Sequence, residues 1–191
     1  IVGSKVGGLS AISLGVVGIR ESEIEGLSVN VSANGEISIE DSRAKLEDGI
    51  SVTDLGKVKI TGSRIESENT VINKEGIEII ECRDSEIEGT NGIVIEEGTG
   101  NIFSGVKIKS EQNGILIKGE SHAQLESIEI ESNLLGIDID GNNYEKLEGI
   151  KIKAEEAVDI GSGEIEIIDS EIEGRITAKG IDSIGIVGSK V

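Results

Sequence analysis

The chain lacks several residue types on which most globular domains depend. It has no proline, methionine or tryptophan, and it has one phenylalanine, one tyrosine, one histidine and one cysteine among 191 residues. So few aromatic side chains would leave a conventional globular core poorly filled. One histidine and one cysteine exclude the ligand spacing of zinc or copper sites and any internal disulfide. The absence of proline suits a structure in which nearly every strand donates its N–H groups to a neighbour.

The charge is strongly one-sided. The sequence has 37 Asp and Glu against 18 Lys and Arg, a formal net charge of −19. This surplus argues against nucleic acid and anionic membrane surfaces as partners. No apolar run is long enough to span a bilayer, so membrane insertion is not expected. No dedicated calcium loop is present and no cofactor or metal site is predicted, although the acidic faces leave loose Ca²⁺ binding open. Because acidic solenoids with few oxidisable residues suit the cell exterior, we expect an extracellular or cell-surface location.

Short aliphatic triplets recur along the chain about every 22 residues. Apolar and polar residues alternate within each triplet, which is typical of a strand with one buried face. One series includes Ile50–Val52, Ile93–Ile95, Ile115–Ile117 and Ile137–Ile139; a second is Ile37–Ile39, Val58–Ile60, Ile77–Ile79, Val106–Ile108, Ile128–Ile130, Ile150–Ile152, Ile165–Ile167 and Ile184–Ile186; a third includes Leu46, Ile65, Ile87, Leu134 and Ile172. Short strands repeating in this way predict an all-β fold, a parallel β-helix with three sheets and roughly nine turns over residues 1–191 as one domain.

Three consecutive repeats carry a resemblance to a known family. They are Asn91 to Ile95, Asn113 to Ile117 and Leu135 to Ile139, in which a glycine precedes an aliphatic triplet. These segments resemble the right-handed parallel β-helix repeat proteins, similar to pectate lyases, at the level of fold. The resemblance implies a right-handed coil and polysaccharide as a class of ligand. It also implies catalysis by clustered acidic residues and a basic residue in a groove, which no residues of this chain match, so no catalytic residue is predicted.

The sequence IVGSKV occupies residues 1–6 and recurs as residues 186–191. The duplication predicts one 185-residue unit of a tandem or end-to-end array, in which the partner of the chain is the chain itself. The first and last turns are aliphatic and have no polar cap, although solenoid ends normally need one. The predicted assembly residues are Ile1, Val2, Val6, Leu9, Ile184, Ile186, Val187 and Val191.

Outward charges are expected to change sign between neighbouring turns of the second series. This alternation would place opposite charges side by side and stabilise the stacked strands. The predicted row contains Lys57, Lys59, Lys107, Lys109, Glu129, Glu131, Lys151 and Lys153. A row of small turn residues is also expected from Ser22, Ser42, Ser63 and Ser170, with Cys82 in the equivalent place.

Three connections are predicted to be long loops: Glu96–Gly105, Lys118–Ser127 and Asp140–Gly149. They contain the only Phe, His and Tyr of the chain. Phe103, Leu125 and Leu147 share one register and are expected to pack inward. The predicted ligand surface is formed by His122, Tyr144, Asn142 and Asn143.

These observations leave three functions open. The first is a structural protein, the building block of an extracellular filament, stalk or sheath that assembles end to end. The second is a carbohydrate-binding or polysaccharide-cleaving module that acts through the long loops. The third is a designed solenoid without a biological role.

Overall fold

The computed structural model describes residues 1–7, 10–13, 15–26, 28–32, 34–77, 79–140 and 143–191. The regular structure in these residues is entirely β, with 23 strands, and none of it could cross a membrane as a helix. Neighbouring strands pair in parallel and stack into a β-solenoid of about 8 turns with roughly 21 residues per turn. The predicted all-β parallel solenoid is confirmed.

The strands form three faces, numbered in the order in which the chain visits them. Face 1 contains β1 (Lys5–Gly7), β4 (Glu23–Gly26), β7 (Arg43–Leu46), β10 (Arg64–Ser67), β17 (Glu129–Ser132) and the first halves of β13 (Glu86–Ile95), β15 (Lys107–Lys118), β20 (Lys151–Ile160) and β22 (Glu171–Ala178). Face 2 contains β2 (Ser10–Ser13), β5 (Ser28–Val31), β8 (Ile50–Val52), β11 (Thr70–Lys74), β18 (Leu135–Asp140) and the second halves of those four long strands. Face 3 contains β3 (Val16–Arg20), β6 (Glu36–Glu40), β9 (Lys57–Thr61), β12 (Ile80–Arg83), β14 (Asn101–Ser104), β16 (Ala123–Glu126), β19 (Asn143–Glu148), β21 (Gly163–Ile168) and β23 (Ile181–Val187).

The core consists of rows of aliphatic side chains that run along the solenoid. On face 2, seven fully buried residues stand in register from turn to turn: Val29, Ile50, Ile72, Ile93, Ile115, Ile137 and Val158. Stiff, β-branched side chains stack well on such a pleated surface. Full burial of each isoleucine or valine contributes roughly 1.5–3 kcal/mol, so these rows are the main source of stability.

Faces 1 and 2 are joined by a bend that requires glycine. A Cβ on Gly114 would lie 2.4 Å from the carbonyl oxygen of Gly136 and 2.6 Å from Cγ2 of Ile130. Gly92 and Gly136 meet the same kind of obstruction in their own turns. The glycine that precedes many triplets is therefore needed for the close approach of neighbouring backbones.

The corner from face 3 to face 1 has one residue in the left-handed region in each turn. Its φ is 48° at Asp41, 59° at Gly62 and 49° at Asp84. The residue that follows is often a serine whose hydroxyl accepts the N–H of the preceding turn's serine, as in Ser42 N to Ser63 Oγ (3.1 Å). The serine row was predicted, but its next member is Ser85, which accepts from Ser63 N at 3.1 Å.

Cys82 does not belong to that row. It lies in β12, in register with Ile60 and Phe103, and it is fully buried. Its side chain is part of the hydrophobic core of face 3. The predicted equivalence of Cys82 with the turn serines is therefore wrong by three positions.

The second triplet series combines strands from two faces. Ile108 pairs with Ile87 and Ile130, which places Val106–Ile108, Ile128–Ile130 and Ile150–Ile152 at the start of face 1. The three segments predicted to be loops contain β14, β16 and β19 of face 3. These strands were missed because few of their residues are aliphatic. Their inward residues Phe103, Leu125 and Leu147 are buried in register, as expected.

Two further expectations about inward residues are wrong. Ile77 and Ile79 are exposed because β12 begins at Ile80, and Leu134 is exposed before the start of β18. In each case the aliphatic residue lies at a corner, where the alternation of the adjacent strand no longer applies.

Candidate functional sites

Face 1 displays two outward rows of charged residues. The first row, in stacking order, is Lys5, Glu23, Arg43, Arg64, Glu86, Lys107, Glu129, Lys151, Glu171 and Lys190. The second row is Gly7, Glu25, Lys45, Glu66, Glu88, Lys109, Glu131, Lys153 and Glu173. Six of the eight predicted charge residues lie in these rows, whereas Lys57 and Lys59 lie on face 3 beside Glu36 and Ser38.

Ion pairs connect the turns along these rows. Lys107 Nζ lies 3.7 Å from Glu129, and Arg64 contacts Glu86 at 3.0 Å and Glu88 at 2.5 Å. Arg43 and Arg64 are adjacent like charges, but both contact Glu66 Oε1 at 2.7 Å. Partial burial of Glu66 raises the pKa of its carboxyl. Hydrogen bonds and attraction from the two arginines together lower this pKa by more, so it lies below the ordinary value for a glutamate.

The two IVGSKV segments form the same corner. Gly3 and Gly188 are in the left-handed region, with φ of 58° and 63°. Val2 pairs with Arg20 of the following turn, and Val187 pairs with Ile168 of the preceding turn. Within the described residues, the first segment therefore pairs through the backbone edge that faces the following turn, and the last segment pairs through the edge that faces the preceding turn.

The polar contacts of the two segments also correspond. Ser4 N donates to Ser22 Oγ at 3.2 Å, and Ser189 Oγ accepts from Ser170 N at 3.0 Å. Lys5 Nζ lies 3.3 Å from Glu23, and hydrogen bonding and attraction to this glutamate raise the pKa of Lys5. Lys190 Nζ lies 2.9 Å from Glu171, which raises the pKa of Lys190 in the same way.

Aliphatic side chains are exposed in the first and last turns. These are Ile1, Val2, Val16, Ile184, Ile186, Val187 and Val191, with Val16 76% exposed and Val6 half-buried. Of the predicted assembly residues, only Leu9 lies outside the described residues. Ile184 and Ile186 stand in register with the buried Ile165 and Ile167, so the core row of face 3 continues into them.

A second candidate site surrounds His122 on face 3. His122 Nδ1 lies 3.5 Å from Glu145 Oε1, and Glu145 also accepts the Ala123 N–H at 3.3 Å. The Glu145 side chain is 2% exposed, and this burial raises its pKa to about 8. The raised pKa favours the protonated carboxyl over the carboxylate, and the contact with His122 is therefore described as a polar contact. Asn142 and the side chains of Asn143 and Tyr144 lie outside the described residues.

A cleft of about 430 Å³ opens beside this pair, lined by Gly100, His122, Gln124, Glu126, Glu145 and Lys146 among others. Glu145 was not among the predicted ligand residues. The alternation of the strand indicates its inward position, since side chains two residues apart in a strand point to the same side and Glu145 precedes the inward Leu147 by two residues in β19.

Lys74 is a second charged residue at an inward position that was not predicted. It follows the buried Ile72 by two positions in β11 and is fully buried. Its ammonium group donates to the carbonyl of Gly76 at 2.5 Å and to that of Glu97, which connects the corners of two turns.

No cluster of His, Cys, Asp and Glu able to hold a metal ion is present in the described residues. No family model, curated protein or solved structure matches the chain. The fold itself therefore defines the class, a parallel β-solenoid.

Proposed function

We propose that this chain is a structural building block of an extracellular filament, stalk or sheath, in which units join end to end. The observation that carries this proposal is the charge row of face 1. The row reaches Lys190 at one end and Lys5 at the other, and these are the same residue of the duplicated segment. A junction that superposes them continues the alternation from Glu171 through one lysine to Glu23.

The ends of the solenoid support the same proposal. Open sheet edges and a continuous aliphatic row template the addition of another chain unless they are covered. Here the exposed Ile184 and Ile186 extend the core row of face 3, and the partly buried Val17, in register with the buried Ile37, begins the same inward row at the opposite end. A second unit with the same geometry would bury both groups.

The proposal also includes the family of β-helix to which the chain belongs. The glycine-plus-triplet repeats support membership of the right-handed, pectate-lyase-like β-helix proteins, although here the solenoid would serve as scaffold rather than as enzyme. The extracellular location follows from the same class and from the acidic surface.

Sedimentation velocity over a range of protein concentrations tests the proposal. We expect the chain to form linear oligomers that grow with concentration, and we expect Ile186→Asp to reduce their size because it places a carboxylate on the exposed end of the core row. Ile77→Asp is the matched control, since Ile77 is an exposed isoleucine on the side of the solenoid. A chain that sediments as a monomer at every concentration would contradict end-to-end assembly.

The cleft beside His122 favours a second candidate function, the binding of polysaccharide. A half-buried imidazole next to a protonated carboxyl offers donors and acceptors of the kind that recognise sugar hydroxyls. Titration with acidic and neutral oligosaccharides would show saturable binding that is lost in His122→Ala. Absence of binding to any of these sugars would exclude this candidate and leave the structural proposal intact.

A further inference from the structure

Residues 1–6 occupy a seat on the first complete turn. The seat consists of Arg20, Ser22 and Glu23. The Ile1 carbonyl accepts from Arg20 N at 2.9 Å, Ser4 N donates to Ser22 Oγ, and Lys5 pairs with Glu23. These contacts need only the residues Ile-Val-Gly-Ser-Lys in this corner conformation.

Residues 186–191 satisfy every one of those requirements. They have the same sequence and the same left-handed glycine, and Ser189 and Lys190 already make the corresponding contacts toward the preceding turn. Those contacts use one edge of the segment only. In the serine row each N–H donates to the serine hydroxyl of the next turn, as Ser170 N does to Ser189 Oγ and Ser4 N does to Ser22 Oγ. By the same pattern the N–H of Ser189 faces the end of the solenoid.

Residues 1–6 cover their own end of the molecule incompletely. They pair with the last residues of β3 and leave the inward Val17 at its beginning only partly buried, although Ile37 beside it in the next turn is fully buried. In β23 the duplicated segment is preceded by residues 183–185, which pair one to one with Glu164, Ile165 and Glu166 of β21, just as the first residues of β3 pair one to one with β6. A second copy that brought residues 186–191 into the seat would therefore place β23 over the whole of β3.

We propose that the units join by segment exchange: residues 186–191 of one copy replace residues 1–6 in the Arg20, Ser22 and Glu23 seat of a second copy. This inference rests on the proposed end-to-end assembly and specifies its contacts. After the exchange, Lys190 lies between Glu171 of its own chain and Glu23 of the second copy, and the serine row runs without interruption from Ser170 through Ser189 to Ser22. The occupant of the seat is a second copy of this chain, since only that partner supplies both the sequence and the adjoining strand.

If exchange occurs, residues 1–6 compete with residues 186–191 of another copy for the same seat, and residues 1–6 are covalently attached to it. A segment attached to its own seat acts at an effective concentration on the order of millimolar, so a second copy must contribute more pairing than the hexapeptide alone. The additional pairing of β23 with β3 provides it. Association should therefore be slow and should increase when residues 1–6 bind their seat less well.

Engineered cysteine pairs in the full chain test the exchange. Ser22→Cys with Ser189→Cys should form intermolecular disulfides under mild oxidation, because exchange places residue 189 in the position now held by Ser4. The two sites lie at opposite ends of one molecule and cannot form an intramolecular bridge. The control is Ser4→Cys with Ser189→Cys, which would be adjacent only if complete ends stacked without exchange. The native Cys82 should not interfere, because burial raises its pKa to about 12.

Two charge reversals give an independent measurement. Lys190→Glu should weaken association at least tenfold, because the new carboxylate would lie between Glu171 and Glu23. Lys5→Glu should leave association unchanged or strengthen it, since it weakens only the competitor. Cross-linking of the Ser4 and Ser189 pair alone, or equal weakening by the two reversals, would overturn exchange while leaving end-to-end assembly standing. Monomers that cross-link in neither pair would overturn both.

Discussion

At the scale of single residues, the bend between faces 1 and 2 depends on the missing Cβ of its glycines. Gly114→Ala should destabilise the solenoid by about 1–3 kcal/mol, because the new methyl group would overlap the Gly136 carbonyl and the Ile130 side chain. Denaturant unfolding measures the change. Gly7→Ala is the control, since a Cβ there meets no atom within 4 Å. Equal stability of the two variants would show that the bend has room for a side chain.

Glu145 should make stability depend on pH. Its pKa is about 8 when folded and ordinary when unfolded, so between about pH 4.5 and 8 the folded state binds more protons than the unfolded state. The contribution of the protonated carboxyl is fully present below about pH 4.5 and is lost as the pH rises through about 8. The free energy of unfolding should therefore fall over this window in the wild type.

Glu145→Gln should remove that part of the pH dependence. We expect the variant to match the wild type at pH 5 and to exceed it by roughly 1–4 kcal/mol at pH 8.5. Glu126→Gln, an exposed carboxyl on the neighbouring strand, is the control. A parallel pH dependence of wild type and Glu145→Gln would mean that the Glu145 carboxyl ionises freely in its cleft.

At the scale of elements, the charge rows set the register of face 1. Lys107→Glu would place three carboxylates in consecutive turns, at Glu86, residue 107 and Glu129. We expect a loss of about 1–2 kcal/mol at low salt that shrinks in 1 M NaCl, where exposed charges are screened within about 3 Å. Lys107→Gln should have an intermediate effect. A loss that is independent of salt would indicate a packing role for the lysine stem instead.

The elements also show what sequence patterns can and cannot reveal here. The repeat of Gly plus triplet predicted face 2 because its strands are aliphatic in every turn. Face 3 was misassigned in the middle turns, since β14, β16 and β19 have too few aliphatic residues to form a triplet. Lys74 and Glu145 occupy inward positions of the local alternation. They were missed because a charged residue is expected to point outward unless a neighbouring turn supplies its polar partner, as Glu97 does for Lys74 and Ala123 does for Glu145.

The candidate sites also differ in how much of them can be predicted from the sequence. The duplicated IVGSKV can be read directly from the sequence, and its interpretation as a junction between units stays a prediction. The division of the charge row between faces 1 and 3 needs the pairing register, which the spacing of Lys57 and Lys107 does not supply.

At the scale of the whole molecule, the chain is a uniform parallel stack whose two ends carry the same six residues. The stacking that holds one turn on the next, through aliphatic rows, turn serines and alternating charges, is available at each end to another copy. In the proposed assembly, the interior of the solenoid and the junction between units have the same physical basis.

Electron cryomicroscopy of the assembled chain tests this account most directly. We predict unbranched filaments as wide as one solenoid, with an axial repeat on the order of 40 Å set by the 185-residue period and a strand spacing of about 4.8 Å. The strand spacing should continue across each junction without a gap. Filaments whose solenoids lie side by side, or fields of single molecules at concentrations well above those used for sedimentation, would contradict it.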